Sequence, residues 1–117
     1  MIDLKFENQA PELFQKLEAA VARFIKAGAG QTADHARRSM RSAPRPSRPG
    51  GPPAVGSGEY LASIAVVQQS SLEAKVGASV EYAPIFEYEL NRPLWGKTLV
   101  EVLPTMDEML KREIAAI

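Results

Sequence analysis

The first seven residues alternate between apolar and charged side chains. Ile2, Leu4 and Phe6 fall on one face of an extended chain, and Asp3 and Lys5 fall on the other. A period of two is typical of a strand with one buried face. The pattern therefore predicts a short strand at the beginning of the chain.

Apolar residues then recur at helical spacing. Pro11 suits a first helical position, because proline has no N–H that would be left unpaired there. The stripe that follows consists of Leu13, Phe14, Leu17, Ala20, Val21, Phe24 and Ile25. Two glycines weaken the pattern before it resumes, so residues 11–43 fit either one kinked helix or a long helix followed by a short one. Pro44 requires the helix to end near Ala43.

The middle of the chain has the pattern of a β-hairpin. Residues 60–69 are rich in apolar and β-branched side chains, and residues 72–76 alternate between apolar and charged ones. A polar, turn-like segment separates them, which predicts two antiparallel strands. Gly77 is expected to end the second strand, and residues 80–82 are a candidate for a short third one.

The last third of the chain predicts helical elements. Residues 82–88 are aromatic and apolar and predict a helical turn or short helix. Residues 99–102 fit either a last strand or the entry to a helix. Pro104 is expected to open a terminal amphipathic helix, with Asp107 and Glu108 complementing the helix dipole in its first turn. The apolar stripe of that helix consists of Met106, Met109, Leu110, Ile114 and Ile117.

This order of elements predicts an α+β fold, in one domain over residues 1–117. A long N-terminal helix and a C-terminal helix would pack on a small antiparallel β-sheet. A long loop rich in proline, glycine and arginine would connect the first helix to the sheet.

That loop carries an electrostatic signal. Residues 37–58 hold five arginines and no acid, so the net charge of zero conceals a basic arm on an acidic body. The part rich in proline and glycine, about 44–58, predicts an extended, mobile loop. Arginine forks suit carboxylates and phosphates. Arg41, Arg45 and Arg48 therefore leave three interpretations open: contact with an acidic neighbouring subunit, contact with DNA, or a solvated loop.

The remaining residues offer little chemistry. The chain has no cysteine, which excludes disulfides and thiolate sites, and no run of about 18 apolar residues, so we expect no membrane partner. His35 is the one histidine and fits a helix-surface or packing residue better than a base or a ligand. Glu81, Glu87 and Glu89 fit a solvated surface or interface ion pairs better than catalysis, and Trp95 fits a core plug or an interface anchor equally. We expect no enzyme, no cofactor and no metal site.

Several short motifs nevertheless occur in a characteristic order. They are Ala43-Pro44, Pro49-Gly50, Pro52-Pro53, Ser57-Gly58, Ser63-Ile64, Val76-Gly77, Tyr82-Ala83, Glu87-Tyr88, Arg92-Pro93 and Pro104. In this order and spacing, over nearly the full length, the chain resembles the head–tail joining, or tail-completion, proteins of long-tailed bacteriophages. Glu89 stands where that family tends to have glycine.

The resemblance implies a structural virion protein of a phage or prophage, of the neck or minor tail type. Such a protein is made in the host cytoplasm and forms a ring, with six-fold symmetry favoured, at the head–tail junction. Its partners would be copies of itself, connector or portal-associated proteins and tail-tube proteins. Opposite charges on two different patches of each subunit would help to set the register of the ring.

Within such a ring we expect the three arginines of the arm to contact a neighbour. Glu81, Glu87 and Glu89 are the expected acceptors, and Trp95 is a candidate anchor of the same interface. The alternative is a small nucleic-acid-binding module that uses the arginine-rich loop, which is the less favoured contact because the arm has no interleaved aromatic residues.

Overall fold

The computed structural model describes residues 6–117, with side chains from residue 11 onward. Helix α1 runs from Phe6 to Ser42 and is 37 residues long, which corresponds to about 55 Å at 1.5 Å per residue. The strand predicted around Ile2 and Leu4 lies outside the described residues. Phe6, which the same prediction placed in that strand, is helical instead.

The boundaries of α1 correct one prediction and confirm another. Pro11 lies inside the helix and does not open it, because α1 already includes Phe6. The helix ends at Ser42, one residue before Ala43, as the proline that follows requires.

Between these ends α1 is one helix that continues through both of its interior glycines. Gly28 is buried where α1 meets the C-terminal helix, and a Cβ added there would lie 3.3 Å from Met106 Cε. Gly28 is therefore closely packed at a position where its low helix propensity, taken alone, would weaken α1.

A β-hairpin follows the proline-rich loop. Strand β1 (Ile64–Ser70) pairs antiparallel with β2 (Glu73–Ala78), with Ile64 opposite Ala78 and Val66 opposite Val76. The hairpin is therefore confirmed. The first part of the predicted strand is wrong, because Glu59–Ser63 forms the short helix α2, and the candidate third strand at 80–82 is wrong, because the sheet has two strands.

The C-terminal part is helical, as predicted, but with different boundaries. Ile85–Glu89 forms a π-helical turn, and helix α3 runs from Trp95 to Ala115. Of the two alternatives for residues 99–102, the helix is the one observed. Pro104 lies inside α3 and does not open it, so Asp107 and Glu108 stand in its middle, and its first turn holds no acid.

The two long helices run antiparallel, since Arg23 of α1 pairs with Glu113 near the end of α3 and His35 pairs with Glu101 nearer its start. The hairpin packs on the C-terminal half of α1. The core lies where these elements meet and consists of Ala33, Ala36, Met40, Tyr60, Ile64, Ala83 and Leu94. The α+β class with a small antiparallel sheet is therefore confirmed, in a molecule with principal extents of 72 × 24 × 20 Å.

Candidate functional site

Glu87 lies in the π-helical turn and faces the start of α3. Its Oε1 accepts hydrogen bonds from the backbone N–H groups of Leu94 at 2.8 Å and Trp95 at 3.0 Å, and its Oε2 accepts one from Gly96 at 3.1 Å. The first N–H groups of a helix have no partner within the helix, and the residue directly before α3 is Leu94, which has no side-chain acceptor. Glu87 therefore caps α3 from a distance in sequence, and its charge complements the helix dipole.

The other predicted acceptors lie nearby but are not engaged in this way. Glu81 lies before the π-helical turn and Glu89 is its last residue, and both are exposed. Within the described residues, no ion pair joins Glu81, Glu87 or Glu89 to any of the arginines predicted to face them in an assembly. Two of the three acids are thus available to a neighbouring molecule, whereas Glu87 has internal partners.

The three predicted arginines follow one another along the end of α1 and the loop, and all three are exposed. Arg41 lies in the last turn of α1. Arg45 Nη2 donates to the carbonyl of Gly56 at 3.2 Å. Among the described residues, the guanidinium groups of Arg41 and Arg48 make no hydrogen bond or ion pair, so both remain free to bind an external acceptor.

A fourth arginine, Arg92, holds the loop against the body of the protein. Its Nε donates to Ser47 Oγ at 2.8 Å, and its Nη2 donates to the Ser47 carbonyl at 3.1 Å. Beside it the N–H of Gly50 donates to the Asn91 carbonyl at 2.8 Å, and Pro53 is fully buried. These contacts tie the middle of the loop to the body of the protein, and Arg45 and Gly56 nearer its ends are exposed. In the sequence Arg92 stands out only as part of the Arg-Pro motif, which gives no sign of this contact.

An aromatic cluster lies on the inner side of the same loop. The rings of Tyr60, Tyr82 and Phe86 contact one another at centroid distances of 5.7–6.1 Å, in tilted or edge-on arrangements. Between this cluster and residues 53–58 lies an apolar groove of about 370 Å³. Burial raises the pKa of the Tyr60 hydroxyl above its ordinary value. The groove is suited to apolar contact rather than to acid–base chemistry.

Trp95 packs against the core, and His35 joins the two long helices. Trp95 begins α3 and packs half-buried against the core, so both interpretations offered for it remain compatible with its position. His35 Nε2 lies 2.7 Å from Glu101 Oε2, a contact that joins α1 to α3. Sequence spacing did not reveal this partner, because 66 residues separate the two. Within residues 11–117, no group of three or more histidine, aspartate and glutamate side chains is arranged to hold a metal ion.

Large apolar side chains are exposed on both long helices. On α1, Leu13, Phe14 and Leu17 belong to the predicted stripe and lie on a part of the helix where every side chain from residue 11 to 19 is exposed. On α3, Leu99, Val100, Leu103 and Ile114 are exposed, and so is Ile117 just beyond its end. Isolated exposed leucines are common, but contiguous apolar surface of this kind usually marks an interaction site.

None of the described helices combines the length and the apolar character needed to cross a membrane. Comparison of the chain with models of protein families, with curated proteins and with solved structures found no match.

Proposed function

We propose that the chain is a structural virion protein of a tailed phage or prophage, which forms a ring at the head–tail junction through protein–protein contacts. The observation that carries this proposal is that the motifs behind the resemblance contact one another. The Glu-aromatic motif caps the helix that follows the Arg-Pro motif, since Glu87 accepts from Leu94 and its two successors. The Arg-Pro motif in turn holds the proline-rich link, since Arg92 donates to Ser47.

These contacts give the resemblance a physical basis. Arg92 of the Arg-Pro motif reaches across 45 residues of sequence to Ser47, which lies between the Ala43-Pro44 and Pro49-Gly50 motifs. The motifs together build one unit, in which a loop is fixed at its middle and its arginines are presented outward. A subunit that contacts a neighbour through a defined patch needs such a unit, because a rigid presenting element lowers the entropy lost on binding.

The exposed charges and apolar faces also support assembly with neighbouring subunits. Arg41 and Arg48 offer free guanidinium groups, and Glu81 and Glu89 offer free carboxylates. Two different patches of opposite charge on one subunit are what a heterologous, ring-forming contact uses. The apolar faces of α1 and α3 add surface that association would remove from water.

The assembly role is tested by charge reversal at the free arginines. In a phage or induced lysogen that lacks this gene, wild-type protein supplied in trans should restore infectious particles, whereas Arg41→Glu with Arg48→Glu should not, although the variant should fold normally by circular dichroism. Lys26→Glu is the matched control, since Lys26 is also an exposed cation of α1 but lies outside the arm. Full rescue by the double variant would remove the arm from the interface. Binding of the wild-type protein to DNA that weakens steeply with salt would favour the nucleic-acid alternative.

A further inference from the structure

Helix α3 has two apolar faces, and the structure covers only one of them. Leu94, Thr98 and Val102 are buried against the rest of the protein, and Met106 packs against Gly28 of α1. The second face, here called the outward face, consists of Leu99, Leu103, Leu110 and Ile114, together with Ile117 two residues beyond the end of the helix. Leu110 is half-buried and the other four are between 41 and 56% exposed.

The outward face is arranged symmetrically along the helix. Leu99 and Leu103 form an apolar cluster near its beginning, and Ile114 and Ile117 form another near its end. Between them lie Asp107 and, one turn later, Lys111. The positions recur at intervals of three, four or seven residues, a spacing by which helices pack lengthwise against one another. From Leu99 to Ile114, the last of them inside the helix, the face is about 22 Å long at 1.5 Å per residue.

This arrangement is complementary to itself when reversed. If a second α3 is laid antiparallel with its midpoint between residues 108 and 109, Leu103 comes opposite Ile114 of the second copy. In the same register Leu99 lies within one residue of the second copy's Ile117, and Asp107 lies within one residue of its Lys111. One two-fold operation therefore matches both apolar clusters and both charges to within one residue.

We infer that the outward face of α3 binds the outward face of a second copy of this chain, as an antiparallel two-fold pair. Charge complementarity identifies this occupant. Asp107 and Lys111 are exposed and lie 2.7 Å apart within one helix. Both charges are therefore solvated in the monomer, and they can pair across the contact without having been buried beforehand.

The contact goes beyond the virion role and does not depend on it. It uses a face of α3, whereas the proposed ring contact uses the arginine arm and the acids of the π-helical turn. It applies to the purified protein alone, and loss of one contact leaves the residues of the other unchanged.

The test uses the fact that the chain contains no cysteine. Leu103→Cys and Ile114→Cys chains, distinguished by a tag on one of them, are produced separately and also co-expressed, and each preparation is treated with a short bis-maleimide. The antiparallel pair predicts efficient cross-linking only in the co-expressed sample and only between different chains. In a pair formed by two copies of the same variant, the cysteine of one copy would lie eleven residues from that of the other in this register, which is about 16 Å along the helices.

Other cross-linking results would overturn the inference. Cross-linking of Leu103→Cys with itself would show a parallel arrangement. Absence of cross-links in every sample, together with a mass of 12.7 kDa for the wild-type protein by light scattering, would show that no second copy binds. The inference predicts twice that mass at micromolar concentration.

Substitutions then locate the contact. Leu103→Glu should weaken self-association at least 100-fold, because it places a carboxylate in one apolar cluster. Leu72→Glu is the matched control, since Leu72 is 47% exposed and Leu103 is 52% exposed, but Leu72 lies in the hairpin turn. It should leave the mass unchanged. Asp107→Lys alone should also weaken the pair, and Asp107→Lys combined with Lys111→Asp should restore it. Failure of the double variant to recover self-association would contradict the register.

Discussion

The cap that Glu87 provides to α3 leads to the most specific stability prediction. Replacement by alanine removes a charged acceptor from three N–H groups, those of Leu94, Trp95 and Gly96. Loss of a helix cap costs roughly 0.5–2 kcal/mol, and hydrogen bonds to charged groups lie at about 1.5–3 kcal/mol. The Gly96 amide is exposed and regains a water partner, whereas Leu94 is buried. We therefore expect Glu87→Ala to lower the free energy of unfolding by about 2 kcal/mol.

Urea unfolding followed by circular dichroism measures this change. The fluorescence of Trp95, the one tryptophan of the chain, follows the same transition at the capped turn itself. For a domain of this size, 2 kcal/mol corresponds to a fall in Tm of roughly 8 °C. Glu89→Ala is the matched control, because Glu89 belongs to the same π-helical turn but is exposed, and it should change stability by less than about 0.5 kcal/mol. Equal stabilities of the two variants would refute the capping argument.

Further substitutions test other parts of the structure. Gly30→Ala should stabilise the protein by about 0.5–1 kcal/mol in urea unfolding, because nothing lies within 4 Å of the added Cβ inside a helix, and an unchanged or lower midpoint would contradict this. Gly58→Ala should instead destabilise by about 1 kcal/mol, because Gly58 has φ +88°, and equal shifts of the two glycine variants would argue against the left-handed turn. Thr98→Val should raise the Tm, because the buried Thr98 hydroxyl has no partner among the described residues, and a lower Tm by calorimetry would imply that it has one. Arg92→Ala should cost about 1–2 kcal/mol and speed hydrogen exchange at the Gly50 amide, which mass spectrometry detects, whereas unchanged exchange would mean that the loop is held elsewhere.

The elements with a strong local pattern could be predicted from the sequence. The stripe of α1, the alternation in β2 and the break at Pro44 each arise from properties of neighbouring residues, and the structure has elements where these patterns occur. The prediction that Gly77 ends the second strand was wrong by one residue, because β2 continues through Gly77 to Ala78. Proline positions were less reliable. Pro11 and Pro104 both lie inside helices, which continue although each proline removes one N–H.

The features that position the candidate site depend on contacts between distant residues. The contact of Arg92 with Ser47 and that of His35 with Glu101 join segments that no local pattern relates. The capping role of Glu87 was hidden for the same reason, since a cap is normally sought at the residue directly before a helix. Charge composition did identify the arm, but only the structure distinguishes Arg45, which donates to a backbone carbonyl, from the other arginines of the arm.

The most direct test of the proposed function is electron microscopy of particles from the parent phage or induced lysogen after deletion of this gene. The head–tail role predicts DNA-filled heads and separate, complete tails that remain unjoined, with joining restored when the protein is supplied in trans. Normal, infectious particles in the absence of the protein would contradict that role.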